Sequence, residues 1–423
     1  MDILSPYNLI IASSLILIIS FSFGEISKRT SIPSVLLLIL LGIVGKIGLE
    51  YFSEGETPDF FPYLEILGIV GLIMIVLEAA LELKLERDKI IPITKALVIA
   101  LIGLMGSTWL TAVILKYFIP DMTTLQSWLY ATPLSILSSA IIIPSVVDLR
   151  KDKKEFHIYE STFSDILGIM LFYFLTAQIP TEGGDTHGGG IGSFFFTTVI
   201  TIVLSVVFSY LIVFIFQNIK SNVKLFLLIA TLLLLYALGK KMHLSSLIII
   251  LIFGLIIANM DLFFQGKLRK YLDEKQAHDI YHGLHVITME SAFVVRTFFF
   301  VIFGLTITFS ALASWTVLGI SLLLIAVIYV IRFVLLRASL GPDIIPQLYI
   351  APRGLITILL FYAIPANIQH EGFSQGILLY IIIGTGIIMT ISMIYDKNRS
   401  STAINEVNSR PVKAVKWRAP GLD

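Results

Sequence analysis

Long apolar stretches recur along the whole chain and set the strongest limit on its fold. About thirteen of them, mostly roughly 17–25 residues long, can each cross about 30 Å of hydrocarbon as a helix. Charged and turn residues separate them, and 57% of the 423 residues are hydrophobic while only 14% are charged. The sequence predicts an all-α polytopic membrane protein with spans at 7–25, 32–49, 63–83, 90–118, 125–148, 157–179, 192–216, 223–239, 243–259, 285–311, 315–336, 345–366 and 373–395.

One boundary in this series is weak. Only Gly239, Lys240 and Lys241 divide the stretch 223–259, so one long tilted helix is the alternative to two shorter ones. The number of spans is therefore thirteen with an error of about one.

Overall charge and cysteine content exclude several partners and chemistries. The formal net charge is +1, which argues for neither nucleic acid nor an acidic partner, and no nucleic acid is predicted. The chain has no cysteine, which excludes disulfides, thiolate metal sites and thiol redox chemistry. No cofactor and no metal are predicted. Glu25 and Lys28 follow the first stretch in place of a small-residue cleavage site, so this stretch is predicted to be a retained helix.

Lysine and arginine collect on alternate loops, which predicts the orientation in the membrane. Basic loops such as 150–154 and 267–275 alternate with the acidic loop 50–59 and the glycine-rich loop 182–190. We expect a multi-pass protein of the inner (plasma) membrane with the N-terminus outside and the C-terminus in the cytoplasm. Its predicted parts are a transmembrane domain at 1–396 and a cytoplasmic tail at 397–423.

Prolines interrupt the fifth and twelfth stretches. Pro133 and Pro144 lie in the fifth, and Pro346, Pro352 and Pro365 in the twelfth. Proline removes a backbone donor and clashes with the preceding turn, so both helices are predicted to unwind near mid-membrane and expose helix ends that can bind ions. Simple kinks in packed helices are the alternative. Breaks at matching positions predict an inverted repeat of six plus six helices around a linking helix, as in many secondary transporters.

The segment Glu160-Ser161-Thr162-Phe163-Ser164-Asp165 precedes an apolar run and places carboxylates inside a span. A carboxylate at the centre of a span costs at least about 2.5 kcal/mol and usually marks a substrate or proton path. Asp165 is predicted two turns into the span, with Ser161 on its face and Ser164 on the face of Glu160. Oxygen ligands suit Na⁺, K⁺ or H⁺. The alternative is a pair of ordinary interfacial charges.

Four segments in order resemble motifs of the monovalent cation/proton antiporter superfamily, which includes the sodium/proton exchangers. The exchangers carry Glu-Ser-x-x-Asn-Asp on the sixth helix, where this chain has 160–165. Their Phe-Glu-Gly-Gly-Leu-Glu-Leu on the third helix is similar to Leu-Glu-Ala-Ala-Leu-Glu-Leu at 77–83. Their Gly-Leu-Arg-Gly on the twelfth is similar to Ala-Pro-Arg-Gly at 351–354, and their basic residue on the eleventh corresponds to Arg332.

Two departures from the exchanger pattern bear on the transported cation. The exchangers have Thr-Asp-Pro at the break in the fifth helix, whereas Leu137-Ser138-Ser139-Ala140 is more similar to the potassium-efflux branch. Ser164 also replaces the Asn that precedes the binding Asp. The resemblance therefore implies exchange of Na⁺ for H⁺, with K⁺/H⁺ efflux as the alternative.

The resemblance implies a role for each motif residue. Asp165 would bind cation and proton alternately, and Glu78 would contribute through water. The remaining oxygen ligands would come from Ser138, Ser139, Ser161 and Ser164. The resemblance also implies a homodimer in membrane lipid, whose core of broken helices rocks against a static scaffold.

Arginines inside spans need partners or an exit to the membrane surface. The resemblance implies that Glu160 pairs with Arg332, and that Arg353, at the break in the twelfth helix, compensates helix C-terminal dipoles near the crossing. Snorkelling towards the cytoplasm is the alternative for Arg332, and either interpretation suits Arg296. If Glu160 is committed to Arg332, Asp165 is the one carboxylate that cycles, which predicts electroneutral one-for-one exchange.

Three histidines form one more cluster. His278, His282 and His285 are spaced i, i+4, i+7, so a helix would place them on one face, where they could bind Zn²⁺ or sense pH. An ordinary amphipathic helix at the membrane surface is the third interpretation, and the sequence leaves all three open.

Other functions have weaker support in the sequence. A cation channel would use the same carboxylates, but no carbonyl-filter repeat is visible. An intramembrane enzyme would need paired catalytic aspartates, a Ser/His arrangement or a His-Glu-x-x-His helix, none of which is present. An organic-solute transporter stays open because sequence does not size a cavity.

Overall fold

The computed structural model describes residues 6–30, 32–52, 61–85, 89–147, 149–179, 190–219, 224–242, 244, 246–264, 274–307 and 314–409. Most of the predicted external loops 50–59 and 182–190, and the end of the tail at 410–423, lie outside these residues. The helices are α1 (Pro6–Thr30), α2 (Ser34–Phe52), α3 (Phe61–Glu82), α4 (Ile90–Phe118), α5 (Thr124–Ser135), α6 (Ser139–Ser145), α7 (Lys151–Thr176), α8 (Gly190–Gln217), α9 (Lys224–Lys241), α10 (Ser246–Ala258), α11 (Met260–Phe263), α12 (Glu274–Thr306), α13 (Trp315–Leu340), α14 (Leu355–Tyr362) and α15 (Gln375–Ser409).

The prediction of an all-helical membrane protein is confirmed for the part of the chain described. Nine helices in these ranges are long and apolar enough to cross a membrane. Every predicted stretch overlaps helical structure. The helix α10 has only 13 residues and is not among the nine, and α3 carries three glutamates. The count of thirteen spans and the inverted repeat stay predictions.

Several helices extend beyond the bounds predicted from hydropathy, and three of them extend the furthest. The helix α7 begins at Lys151 instead of 157, α12 begins at Glu274 instead of 285, and α15 continues to Ser409, into the predicted tail. Each extension is polar, because a helix can project beyond the hydrocarbon where water solvates its side chains. Asp165 therefore lies about four turns from the start of its helix, whereas its predicted position was two turns into the span.

The uncertain stretch 223–259 forms two helices. Chain direction reverses between α9 and α10, and a Cβ added at Gly239 would lie only 2.8 Å from Ile249 Cδ1 and 3.3 Å from Ser246 Cβ. The absence of a side chain at Gly239 lets α9 and α10 approach closely near the turn.

The fifth stretch is broken, as its sequence predicts. A capping box starts α5, in which the Thr123 hydroxyl accepts from the backbone N–H of Gln126. The helix α5 ends at Ser135, α6 begins at Ser139, and the residues between them have extended backbone at Ile136 and Ser138. Both prolines lie inside the half-helices and not at the break, so other contacts must hold the break open.

The twelfth stretch differs from the prediction of a helix on each side of a break. Residues 345–349 form turns, residues 350–354 have no regular secondary structure, and only α14 is α-helical. Pro342, Pro346 and Pro352 remove three backbone donors from this short segment, and each also restricts the residue before it. A first half-helix therefore does not form, and the prediction of two half-helices was wrong here.

Small residues bring α2 and α12 into backbone contact. A Cβ added at Gly42 would overlap the carbonyl oxygen of Val301, and one added at Gly304 would overlap that of Ile39. Only hydrogen at both positions permits this approach. The same α12 also packs against α3, while α4 packs against α5, α7 and α13, and the broken segments lie next to α7.

Candidate functional site

The two broken stretches cross at the centre of the candidate site. The backbone N–H of Ser138 donates to the carbonyl oxygen of Pro352 at 3.0 Å. A Cβ added at Gly354 would overlap the Ser138 hydroxyl and would lie 2.9 Å from Ile141 Cδ1. Gly354 is therefore a close-approach glycine, and the crossing depends on its missing side chain.

The helix α7 lies against the break in the fifth stretch and satisfies its exposed donors. The N–H of Leu137 donates to Ser164 Oγ at 3.0 Å, and the N–H of Ser139 donates to Asp165 Oδ2 at 3.4 Å. A Cβ at Gly168, one turn further, would overlap the Ile136 side chain. Three successive N–H groups, at 137, 138 and 139, thus donate outside their own helix, which explains why the break persists in an apolar setting.

Asp165 is the carboxylate at this crossing. It is only 3% exposed, and its Oδ1 has no hydrogen-bond partner. Asp165 borders a cavity of about 20 Å³, whose other lining residues are apolar and include Val76, Ala79, Met170 and Leu251. An unpaired, buried carboxylate oxygen is costly unless a proton or a cation satisfies it, so this geometry suits a site that is alternately protonated and occupied by a cation.

The predicted serine ligands are not equally placed. Ser138, Ser139 and Ser164 lie at the crossing with Asp165, and Ser164 already accepts from the backbone of the break. Ser161 lies one turn before Asp165, but its hydroxyl donates to the His157 carbonyl at 2.7 Å. That bond uses the hydroxyl hydrogen, so the oxygen of Ser161 keeps its lone pairs for a cation at Asp165.

Glu160 and Arg332 form a bidentate ion pair between α7 and α13. Arg332 Nη1 donates to Glu160 Oε1 at 2.7 Å, and Nη2 donates to Oε2 at 2.9 Å. Glu160 is 1% and Arg332 8% exposed. The guanidinium also donates to the Gln347 carbonyl through Nε at 3.1 Å and Nη2 at 3.0 Å, so the pair joins α7, α13 and the turns that precede Pro352.

His157 belongs to the same buried cluster, and sequence reasoning missed it. Its Nδ1 lies 3.4 Å from Glu160 Oε2, and the residue is fully buried. The spacing from His157 to Glu160 is i, i+3, which places two side chains on one helix face. This spacing could have identified His157 only if α7 was known to begin at Lys151, because His157 is the first residue of the predicted span 157–179.

Arg353 lies at the end of α5. Its Nε donates to the Leu134 carbonyl at 2.8 Å, its Nη1 to the Ala351 carbonyl at 3.2 Å, and its backbone N–H to Thr385 Oγ1 at 3.1 Å. Leu134 O is one of the last carbonyls of α5, where the negative end of the helix dipole lies. The guanidinium thus caps a broken helix with positive charge.

Glu78 has a different partner from the other predicted site residues. Arg296 Nη2, on α12, donates to Glu78 Oε2 at 2.7 Å, and the two side chains are 17% and 16% exposed. Arg296 therefore has a carboxylate partner across the interface between α3 and α12. Glu78 precedes Ala79, which lines the Asp165 cavity.

A second cavity lies on the α13 side of α7. It has a volume of about 30 Å³, and its polar lining comes from Ser107, Ser135, Ser164, Glu160, Arg332 and Arg353. A polar cavity of this size is large enough for a water molecule. Ser164 borders this cavity while Asp165 borders the apolar one, so α7 separates a polar and an apolar side at the break.

Broken helices that cross beside a buried carboxylate are typical of secondary transporters. The chain belongs to the sodium/hydrogen exchanger family: the family model described as "Sodium/hydrogen exchanger, transmembrane" matches residues 12–394. It is accordingly a transporter and not an enzyme.

Two solved structures are similar to this chain. One is the sodium proton antiporter MjNhaP1 from Methanocaldococcus jannaschii at pH 8, with a TM-score of 0.68 and 20% sequence identity over 95% of this chain and 98% of the other. The second comes from an electron-microscopy map of the same antiporter, with a TM-score of 0.63 and 20% identity over 98% and 100% of the two chains. At this identity the likeness shows the shared fold. A search of curated protein sequences finds no match.

Proposed function

We propose that this chain exchanges Na⁺ for H⁺ by alternating access, with Asp165 as the group that binds the two in turn. The observation that carries the proposal is the unpaired Oδ1 of a buried carboxylate at the crossing of two broken stretches. The family and the shared fold with a sodium proton antiporter support the cation and the proton as substrates.

Binding would complete the incomplete coordination of Asp165. The hydroxyl oxygens of Ser138 and Ser139 and the lone pairs of Ser161 and Ser164 supply further oxygens of the kind Na⁺ prefers. Protonation of Asp165 would instead satisfy the carboxylate with a hydroxyl hydrogen. Each state excludes the other, so loading one substrate releases the other.

The exchange ratio follows from the partners of the other carboxylates. Glu160 accepts two hydrogen bonds from Arg332, which commits it to a structural ion pair. Asp165 is then the carboxylate that cycles, and one proton is exchanged for one cation without net charge transfer. Glu78 is the group that could add a second proton, although Arg296 holds one of its oxygens.

K⁺ in place of Na⁺ is the second candidate, and one observation favours it. Ser138 and Ser139 stand at the break where exchangers have an aspartate, so the site has one carboxylate fewer and a weaker field. A weaker field lowers the advantage of the smaller ion. Dehydration of K⁺ also costs less than dehydration of Na⁺.

The protein's arrangement in the membrane is proposed on the same basis. We place it in the inner (plasma) membrane with the N-terminus outside, the C-terminus in the cytoplasm, and two chains forming a homodimer in lipid. The core of α5, α6, α7 and α14 would move against the remaining helices.

One experiment tests the proposal directly. Proton movement is followed in proteoliposomes after addition of Na⁺, K⁺ or Li⁺ in turn, with the Asp165→Asn variant in parallel. We expect cation-driven proton flux with Na⁺ from the unaltered chain and none from Asp165→Asn. Equal flux from the variant would contradict the proposed site, and flux with K⁺ alone would select the second candidate.

A further inference from the structure

The first turns of α12 present two histidines as a pair. His278 and His282 are both exposed and lie one turn apart. Their Nε2 atoms are 2.9 Å apart, and the two rings are nearly perpendicular, at 86° with centroids separated by 4.4 Å. From this geometry we infer that His278 and His282 form a binding site for a divalent late transition-metal ion such as Cu²⁺, separate from the transport site.

The nitrogen separation matches a shared metal ligand. Two metal–nitrogen bonds of about 2.0–2.1 Å that meet at a right angle place the two nitrogens about 2.9 Å apart. A right angle is the angle between neighbouring ligands in the tetragonal geometry of Cu²⁺ and Ni²⁺. The histidine pair therefore needs little movement to bind an ion of this class, whereas tetrahedral Zn²⁺ would require the rings to separate.

Proton accounting is simple for this pair. At present one ring donates an Nε2–H and the other accepts it, so the pair shares a single hydrogen. When an ion binds both Nε2 atoms, that hydrogen moves through solvent to Nδ1 of its own ring. Both imidazoles stay neutral, and neutral imidazole is the ligand form.

The coordination would be completed by water. Within the described residues, no three His, Cys, Asp or Glu side chains come close enough to hold a metal ion together. His285, the third histidine of the cluster, contacts the ring of Tyr281 with centroids 5.9 Å apart, as His282 also does at 5.4 Å. The face beyond His278 and His282 is exposed, so solvent can occupy the remaining ligand positions.

The position along α12 makes the pair accessible to ions in water. The helix has 33 residues and is about 50 Å long, whereas the hydrocarbon core is about 30 Å thick. Glu274, Lys275 and Asp279 lie in the same first turns, and the apolar part of the helix follows His285. The pair therefore lies beyond the hydrocarbon, at the end of α12 that contacts α3 through the hydrogen bond from Tyr281 Oη to the Leu81 carbonyl at 3.3 Å.

Metal affinity should follow ligand softness and the usual order of divalent ions. Cu²⁺ should bind most tightly, Ni²⁺ and Zn²⁺ less so, and Mn²⁺ least. Na⁺ and K⁺, the proposed transport substrates, should not compete, because they prefer oxygen ligands. The site thus differs in chemistry from the one at Asp165.

The test uses the full chain in detergent without a histidine tag. Cu²⁺ is titrated by calorimetry, and the bound ion is examined by electron paramagnetic resonance for coupling to imidazole nitrogens. We expect one Cu²⁺ per chain with two coupled imidazoles. His278→Gln and His282→Gln should each weaken binding by about tenfold or more, because each removes one of two ligands.

Matched variants keep the result decisive. His285→Gln belongs to the same cluster and His370→Gln lies elsewhere in the chain, and both should bind Cu²⁺ with unchanged affinity. Unchanged affinity in the double variant His278→Gln/His282→Gln would overturn the site. An equal loss in His285→Gln would also overturn it, in favour of a three-histidine site.

Discussion

Ser138 and Pro352 are joined by a backbone hydrogen bond of 3.0 Å, although one belongs to the fifth apolar stretch and the other to the twelfth. The break in the fifth stretch exposes the N–H of Ser138, and the break in the twelfth exposes the carbonyl oxygen of Pro352. Each group is therefore the hydrogen-bond partner of the other. A main-chain hydrogen bond thus stabilises the crossing. The crossing also requires glycine at position 354, because Ser138 occupies the place of a Cβ there.

Gly354→Ala should disrupt this crossing. The added methyl would overlap the Ser138 hydroxyl, and forced overpacking typically costs about 1–3 kcal/mol. We expect a lower melting temperature in detergent and a loss of exchange. In Gly354→Ala/Ser138→Gly the melting temperature should partly recover, whereas exchange should not, because Ser138 is a proposed cation ligand. Gly319→Ala is the control, because nothing lies within 4 Å of its Cβ position, and it should melt like the unaltered chain. Full activity of Gly354→Ala would contradict the close approach.

Asp165→Asn should abolish exchange and leave the fold intact. The amide has nearly the same shape as the carboxylate, but it neither ionises nor carries the transported proton. Proton flux in proteoliposomes and the elution profile in detergent report the two effects separately. The same substitution at Asp343, which pairs with Lys153 and is 70% exposed at the side chain, should leave exchange unchanged.

Glu160 and Arg332 should be energetically coupled. Removing one partner leaves an unpaired buried charge, so Glu160→Gln and Arg332→Gln should each lower the free energy of unfolding by about 3–5 kcal/mol. The double variant should lose less than the sum of the two single losses, because it leaves neither charge unpaired. The swapped variant Glu160→Arg/Arg332→Glu should recover part of the stability. Additive losses in the double-mutant cycle would show that the pair contributes nothing specific.

Electroneutral exchange should appear as voltage-independent flux. With a Na⁺ gradient imposed and the potential clamped by K⁺ and valinomycin, proton flux should not change with the clamped voltage. A cation-evoked current on a solid-supported membrane would show that more than one proton moves in each cycle. Glu78→Gln identifies the source in that case, since it should remove the current if Glu78 carries the extra proton.

Hydropathy and proline positions predicted much of the fold, and the errors have physical causes. The break in the fifth stretch was predicted because Pro133 and Pro144 weaken that helix. The groups that stabilise the break are the side chains of Ser164 and Asp165 on α7 and the carbonyl oxygen of Pro352. The start of α7 was misplaced because Lys151 and its charged neighbours are polar yet helical. Hydropathy detects where lipid begins and not where a helix begins.

Some residues of the site could be predicted from general rules about buried charge, whereas others depend on contacts between distant parts of the chain. Glu160 and Arg332 were predicted to pair because buried charges need partners, a rule independent of topology. The contact between Glu78 and Arg296 was not predicted, because pairing with a partner and snorkelling to the membrane surface were equally consistent with the sequence for Arg296. His157 was missed because its burial depends on packing between helices. A lone histidine near a charged run carries no such signal.

The glycines of α2 and α12 restrict how the molecule can change shape. Gly42 and Gly304 bring the two backbones into direct contact, where any sliding would drive a carbonyl oxygen into a neighbouring Cα. These two helices therefore stay in register throughout any change of access. Because Arg296 lies on α12, it keeps its position relative to α2. The proposed movement of α5, α6, α7 and α14 leaves both α3 and α12 in the static part, so the ion pair between Arg296 and Glu78 stays closed throughout the cycle.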